Sequence, residues 1–252
     1  MTENTVTLPQ NRGMTASALK YIAIAAMLID HIAYAFVPED TPLCVLMHFI
    51  GRLTAPIMCF FIAEGYHYAR SVKKYALRLA IFALISQLPF QFFFTMKEEN
   101  PVYWPPELNM IFSLLCGLLA LWAWHEIDNI LLRFLALFGL CLATLFADWP
   151  VFTVLFVLTF GIYRENRKKQ LIAFAAVAGL MLCYMLTLTL VFSNTPRMWL
   201  TNLYHLGVFG VIPLLLFYNG RRGGGRGSKW VFYIFYPAHI AVLALIYLLM
   251  MR

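Results

Sequence analysis

The sequence predicts an all-α fold, a polytopic membrane helix bundle with about nine transmembrane helices, and three observations predict it. Of 252 residues, 62% are hydrophobic and only 12% charged, against roughly 25% charged in an ordinary soluble domain. The apolar residues gather into runs near the ~20 residues that cross a bilayer as a helix. The basic residues collect in short loops between those runs, which is the positive-inside pattern. The net charge of +7 is therefore topogenic; the lipid bilayer is an expected partner and nucleic acid is not.

The runs are bounded by polar or Pro- and Gly-containing turns. The first, 18–37, closes at PEDTP, and the second, 43–69, ends at the basic RSVKK. The third, 73–96, stops before MKEENPVYWPPEL; the fourth, 109–125, opens at Asn109 and closes at HEIDN. The fifth, 130–147, and the sixth, 150–163, flank ADWP. The sixth, VFTVLFVLTFGIY, is short for a crossing, so it is either re-entrant or the second arm of a helical hairpin. The seventh, 170–192, follows RENRKK; the eighth, 199–219, follows SNTPR; the ninth, 230–251, follows GRRGGGRGSK. Arg70/Lys73/Lys74, Arg164/Arg167/Lys168/Lys169 and Arg221/Arg222/Arg226/Lys229 are separated by even numbers of runs, so all three basic loops fall on one side, the cytoplasm. The N-terminus is then cytoplasmic. Residues 1–17 read as a cytoplasmic tail without the pattern of a cleaved signal peptide, and 18–252 as a single transmembrane domain. The five cysteines stand singly in apolar surroundings, with no metal-ligand spacing.

Against that background the interior polar residues stand out. The first run contains Asp30 and His31 side by side, although a charged side chain at the centre of an inserted helix costs roughly 2.5–3.5 kcal/mol on insertion scales. The second carries His48 and Arg52 four residues apart, on one helical face, with Glu64 and His67 further along. The third carries Arg78, Ser86 and Gln87, the fourth begins at Asn109, and the ninth holds Tyr233, Tyr236 and His239. At about 1.5 Å of rise per residue, Asp30, His31, Arg52, Gln87 and His239 share one depth. Neighbours on a helix point about 100° apart, so Asp30 is poorly placed to orient the imidazole of His31. The expected arrangement pairs Arg52 with Asp30 and leaves His31 facing a cavity as a general base. His48, His125 and His205, near span ends, read as interface or packing residues. Glu64 with His67 reads either as a helix-end pair or as part of a cytoplasmic cavity. GRRGGGRGSK is a topogenic loop or, through its backbone N–H groups and arginines, a phosphate holder.

The segments LKYIAIAAMLIDHIAY, GRLTAPIMCFFIAEGYHYARSVKKYALRLAIFALISQLPF, NMIFSLLCGL and KWVFYIFYPAHIAVLALI resemble the TraX family, named for the protein that acetylates the N-terminus of F-pilin. That family is similar to a wider group of transmembrane acyltransferases that use an embedded histidine and an acyl-CoA donor. The resemblance marks Asp30, His31, Gly51, Arg52, Pro56, Glu64, Gly65, Arg78, Ser86, Gln87, Pro89, Phe90, Asn109, Tyr236, Pro237 and His239. After GRL this chain reads TAP, where the family pattern has a bulkier apolar residue before the proline.

The resemblance implies a bacterial inner-membrane acyltransferase moving an acetyl group from acetyl-CoA to an amine or hydroxyl of an unidentified acceptor, a pilin-like peptide or a surface glycan. The expected catalytic residues are His31, Asp30, Arg52 and His239, with His31 acting as base or as transient acyl carrier. Glu64, Arg78, Arg221 and Arg222 are expected at the CoA, and Gln87, Asn109 and Tyr236 at the substrate; no metal is expected. The competing class is a proton-coupled transporter built on the same Asp/His/Arg cluster, against which stands the lack of paired halves. A noncatalytic scaffold would leave the cluster unexplained.

Overall fold

In the computed structural model the described residues are 13–39, 41–98, 106–192, 202–225 and 228–250. Most of the expected N-terminal tail, loop residues 99–105 and 193–201, and Arg226 lie outside them. Short polar side chains start the helices by accepting from exposed backbone N–H groups. Thr15 caps α1 (Ala16–Phe36) and Thr41 caps α2 (Pro42–Gly51). After α3 (Thr54–Tyr68), Ser71 caps α4 (Val72–Thr95), Asn109 caps α5 (Met110–Glu126) and Asn129 caps α6 (Ile130–Ala143). Then come α7 (Phe152–Ile162), α8 (Arg167–Phe192), a 3-10 helix (Asn202–Gly210) running into α9 (Val211–Leu216), and α10 (Ser228–Met250). Among the described residues, 16–36, 42–68, 72–95, 167–192 and 230–250 are long and apolar enough to cross a membrane. The shorter apolar helices are 110–126, 130–143, 152–162 and 202–216. The chain is a multi-pass helical membrane protein.

The short sixth run has a physical explanation. Val154, Phe156, Val157 and Phe160 of α7 are fully buried, and α7 packs on α3, α5 and α8. Phe160 meets Phe60 edge-on at 5.4 Å and stacks on Phe174 at 4.9 Å. A helix sheathed by other helices need not match the hydrocarbon thickness. By contrast α6 exposes Leu131, Leu135 and Phe138, an apolar face suited to lipid.

The second run is not one helix, as the sequence reading had it. The chain turns at Arg52 and Leu53, between α2 and α3. Pro56 is the cause: it has no N–H to give the carbonyl of Arg52, and its ring crowds that group. The 3-10-type bond Leu53 N–H to Ile50 O, at 3.1 Å, closes the turn. Here α1 and α2 pack with no room for a side chain between them, since a Cβ on Gly51 would collide with the carboxylate of Asp30.

A second irregular region forms where 106–109 meets 144–151. Leu108 N–H donates to Phe146 O at 2.7 Å and Asp148 N–H to Leu108 O at 2.8 Å. Ser113 Oγ donates to Asp148 O at 2.6 Å. Non-helical backbone inside a membrane protein persists where protein satisfies it and it borders a cavity. The turn is strained: Trp149 and Val151 have φ of 56° and 61°, and a β-branched residue at positive φ is an outlier.

Gly51→Ala is expected to lower the stability of the detergent-solubilised protein by ~1–3 kcal/mol through overpacking. Gly139→Ala, where an added Cβ meets nothing within 4 Å, is the control, with little change in melting temperature. Equal melting of the two variants would contradict the close α1–α2 contact.

Candidate active site

The first and last helices meet through two buried histidines. His31 Nδ1 lies 2.6 Å from His239 Nε2, and His239 Nδ1 lies 2.7 Å from the carbonyl of Phe235. A carbonyl only accepts, so the Nδ1 of His239 carries its proton, and the Nε2 of the neutral ring is an acceptor. His31 must then donate from Nδ1. Its Nε2 is left with a bare lone pair, which is the form of imidazole that takes a proton or attacks a carbonyl. Phe93 and Phe94 hold the ring of His31 edge-on, at 5.4 and 5.8 Å.

Asp30 faces elsewhere. Its Oδ1 accepts from His48 Nδ1 at 2.9 Å and pairs with Arg52 Nη2 at 3.4 Å. The expected Asp30–Arg52 pair is present, and His48, expected at an interface or in packing, is its third member. The signal is in the sequence, because His48 and Arg52 are four apart, with Arg52 capping the end of α2. The guanidinium of Arg52 lies between Trp149 and Tyr204, 5.2 and 5.1 Å from their ring centroids. Its Nε is buried without a hydrogen-bond partner among the described residues.

Two cavities converge on this layer. One, of about 620 Å³, is walled largely by apolar side chains such as Ile24, Met58, Phe61 and Leu114, and Lys20, Glu64, Tyr68, Arg78 and Arg222 also line it. The other, of about 50 Å³, is bounded by Asp30, His31, Gly51, Arg52, Ala55, Asp148 and Trp149. Met27, Thr54, Met110 and Tyr236 line both. The end of the bundle where α1 begins and α3 finishes is basic. Ala16 and Ser17 N–H donate to the carbonyls of Arg221 and Arg222 at 2.8 and 3.0 Å, and Arg164 Nε donates to Glu64 Oε1 at 2.8 Å.

The expected site residues fall into three groups. His31, Asp30 and Arg52 surround the small chamber, with His239 behind His31 and Tyr236 at the shared boundary, where its hydroxyl accepts from Met110 N–H at 3.3 Å. Glu64, Arg78 and Arg222 line the large cavity. Glu64 is committed to Arg164, and Arg78 Nε donates to Tyr233 Oη at 3.2 Å. Arg221 is exposed beside the start of α1 and is not part of that wall. Gln87 and Asn109, expected at the substrate, line neither of these two cavities and are hydrogen-bonded to each other and to backbone. Asn109 Nδ2 donates to Gln87 Oε1 at 2.7 Å and Ala83 O at 2.8 Å, while Gln87 Nε2 donates to Glu107 O at 2.7 Å. They bind each other and backbone, fixing the start of α5 against α4. Lys20 was overlooked: its Nζ sits over Phe61 and Phe232 at 4.8 and 5.2 Å, and the only sequence signal was a lone lysine inside an apolar run. Of the other histidines, His125 stacks on Tyr66 at 5.3 Å, and His205 is buried against Tyr204.

Comparison with known proteins covers nearly the whole arrangement. The family model described as TraX protein matches residues 15–247. A protein of Dichelobacter nodosus named probable fimbrial assembly protein FimC, serogroup H1, is 34% identical over 243 residues, covering 94% of this chain and 97% of its own. An uncharacterised protein of Rickettsia prowazekii (strain Madrid E) is 36% identical over 81 residues, 32% of this chain and 29% of its own. No solved structure matches. With α1 and α10, and so both members of the histidine pair, inside the matched span, the chain belongs to the TraX family.

Proposed function

We propose that the chain is a membrane-bound acyl-CoA-dependent acyltransferase that moves an acetyl group from acetyl-CoA to an amine or hydroxyl of a surface acceptor. The observation that carries this reading is the His31–His239–Phe235 hydrogen-bond chain, which leaves Nε2 of His31 without a proton, with His31 in a small chamber that shares lining residues with a large, mostly apolar cavity also lined by Lys20, Arg78 and Arg222. The fimbrial name of the Dichelobacter relative supports a pilin-like peptide over a glycan as acceptor. The basic end faces the cytoplasm of a bacterial inner membrane, in line with the positive-inside rule, so that CoA reaches the cavity from the side where it is made.

In the reaction, His31 Nε2 takes the proton of the acceptor as the acceptor's nitrogen or oxygen attacks the thioester carbonyl. The carbonyl pair moves onto oxygen, where Arg52, held by Asp30, supplies positive charge. Collapse breaks the C–S bond, and the departing thiolate takes the proton back from His31. His239 keeps the reacting nitrogen of His31 unprotonated at the start by accepting from its Nδ1–H. In the relay version Nε2 itself attacks the carbonyl and CoA leaves as the thiolate; the acceptor then attacks the acyl-imidazolium, its proton passes to the freed Nε2 and on to solvent, and the thiolate takes up one in exchange. The CoA phosphates lie near Lys20 and Arg222, cations able to offset their charge at the end where the cavity is basic.

The deciding assay mixes purified protein in nanodiscs with labelled acetyl-CoA and follows thiol release and label on protein. His31→Ala is expected to lower turnover by about 10²–10⁴-fold; label retained by the wild type and absent from His31→Ala marks the relay. Folded wild-type protein that neither binds nor turns over any acyl-CoA would contradict the proposal and leave the proton-coupled transport reading. His239→Phe, which removes the acceptor that fixes the tautomer, is expected to cost about 10–100-fold, the scale of lost outer-shell partners elsewhere, with His239→Gln recovering part of the rate. A phenylalanine variant as fast as wild type would remove His239 from the mechanism. Charge reversal at Lys20 or Arg222 is expected to raise the KM for acetyl-CoA about tenfold, ~1.4 kcal/mol, with a smaller effect on kcat; an unchanged KM would place the phosphates elsewhere.

A further inference from the structure

We propose that Met27 and Met110 form a gate that measures the acyl group and confines the donor to acetyl or propionyl thioesters. This rests on the acyltransferase reading and adds what sets its donor specificity. The cavity of about 620 Å³ would by itself accept a long acyl chain, since its walls are apolar and its volume is that of a drug-sized site. His31, however, lines the small chamber and not the large cavity. Met27, Thr54, Met110 and Tyr236 line both cavities, so they form the boundary that a thioester carbonyl coming from the large cavity crosses to reach His31. An acyl group that follows the carbonyl enters a chamber of about 50 Å³, less than a tenth of the volume of the large cavity.

The far walls have little freedom to retreat. Gly51 presses its backbone on Asp30, Trp149 is stacked on Arg52, and Asp30, Arg52 and Asp148 would set charged or polar groups against any added methylene. Two members of the boundary are tied as well. Thr54 Oγ1 donates to Ala23 O at 3.1 Å, and Tyr236 Oη accepts from Met110 N–H at 3.3 Å. That leaves the methionine side chains as the adjustable pieces. Unbranched and pliant, they close around a narrow pantetheine arm, and shortening one extends the large apolar cavity toward His31.

The test is thiol release from acetyl-, butyryl- and octanoyl-CoA by the full chain in nanodiscs, for wild type, Met27→Ala and Met110→Ala, with Met27→Val as the milder substitution. Wild type is expected to favour acetyl-CoA over octanoyl-CoA by about 100-fold or more in kcat/KM, and each alanine variant to narrow that ratio by about tenfold, the scale of a pocket changed by one or two methylenes. A wild-type ratio near one, or a ratio unmoved in every variant that turns over, overturns the gate while leaving acyl transfer intact. No turnover of any chain length overturns both, so the two failures are told apart.

Discussion

The carboxylate of Asp30 is the constraint on which the rest of the site depends. An acid inside a membrane helix must be matched or it costs roughly 2.5–3.5 kcal/mol or more, and removing one partner of a buried pair is worse, about 3–5 kcal/mol, because it strands the other charge. His48 and Arg52 supply the match from one side of α1. They can do so because Gly51 lets α2 approach without a side chain and Pro56 ends α2 at Arg52. The cation then needs surroundings of its own, which Trp149 and Tyr204 provide with their ring faces. The positive φ values at Trp149 and Val151 lie in the same turn that delivers the indole. Backbone strain at this point accompanies a specific contact.

Because Asp30 is committed to that cluster, His31 takes its orientation from the other end of the chain. Phe235 O fixes the tautomer of His239, and His239 fixes that of His31. This differs from a triad, in which a carboxylate orients the base. A neutral pair places no further anion beside His31, and it ties α1 to α10 by a bond between buried side chains. Pro237 lies between Phe235 and His239 in α10, and the carbonyl of Phe235 serves the imidazole of His239.

Much of this was legible in the sequence, and the rest was hidden for definite reasons. The apolar runs showed the helices because hydrophobic length is a local property. The shared depth of Asp30, His31, Arg52 and His239 followed from rise per residue alone. The break at Arg52 was also written locally, in Pro56, yet a proline early in a long apolar run is easily read as tolerated. The burial of α7 depends on three neighbouring helices and leaves no mark in VFTVLFVLTFGIY beyond its shortness. The bonding of Asn109 to Gln87 needs residues 106–109 to turn inward, which no periodicity announces. Depth locates a side chain along the membrane normal but does not show which neighbours it bonds to, here each other and the backbone of Ala83 and Glu107.

The most direct measurement is of the tautomer itself, by ¹⁵N NMR of histidine-labelled protein in nanodiscs at neutral pH, with His31→Gln and His239→Gln used to assign the two rings. The account predicts His31 neutral and protonated on Nδ1, with its Nε2 bare, and His239 likewise protonated on Nδ1. A His31 ring that carries its proton on Nε2, or on both nitrogens, would contradict it.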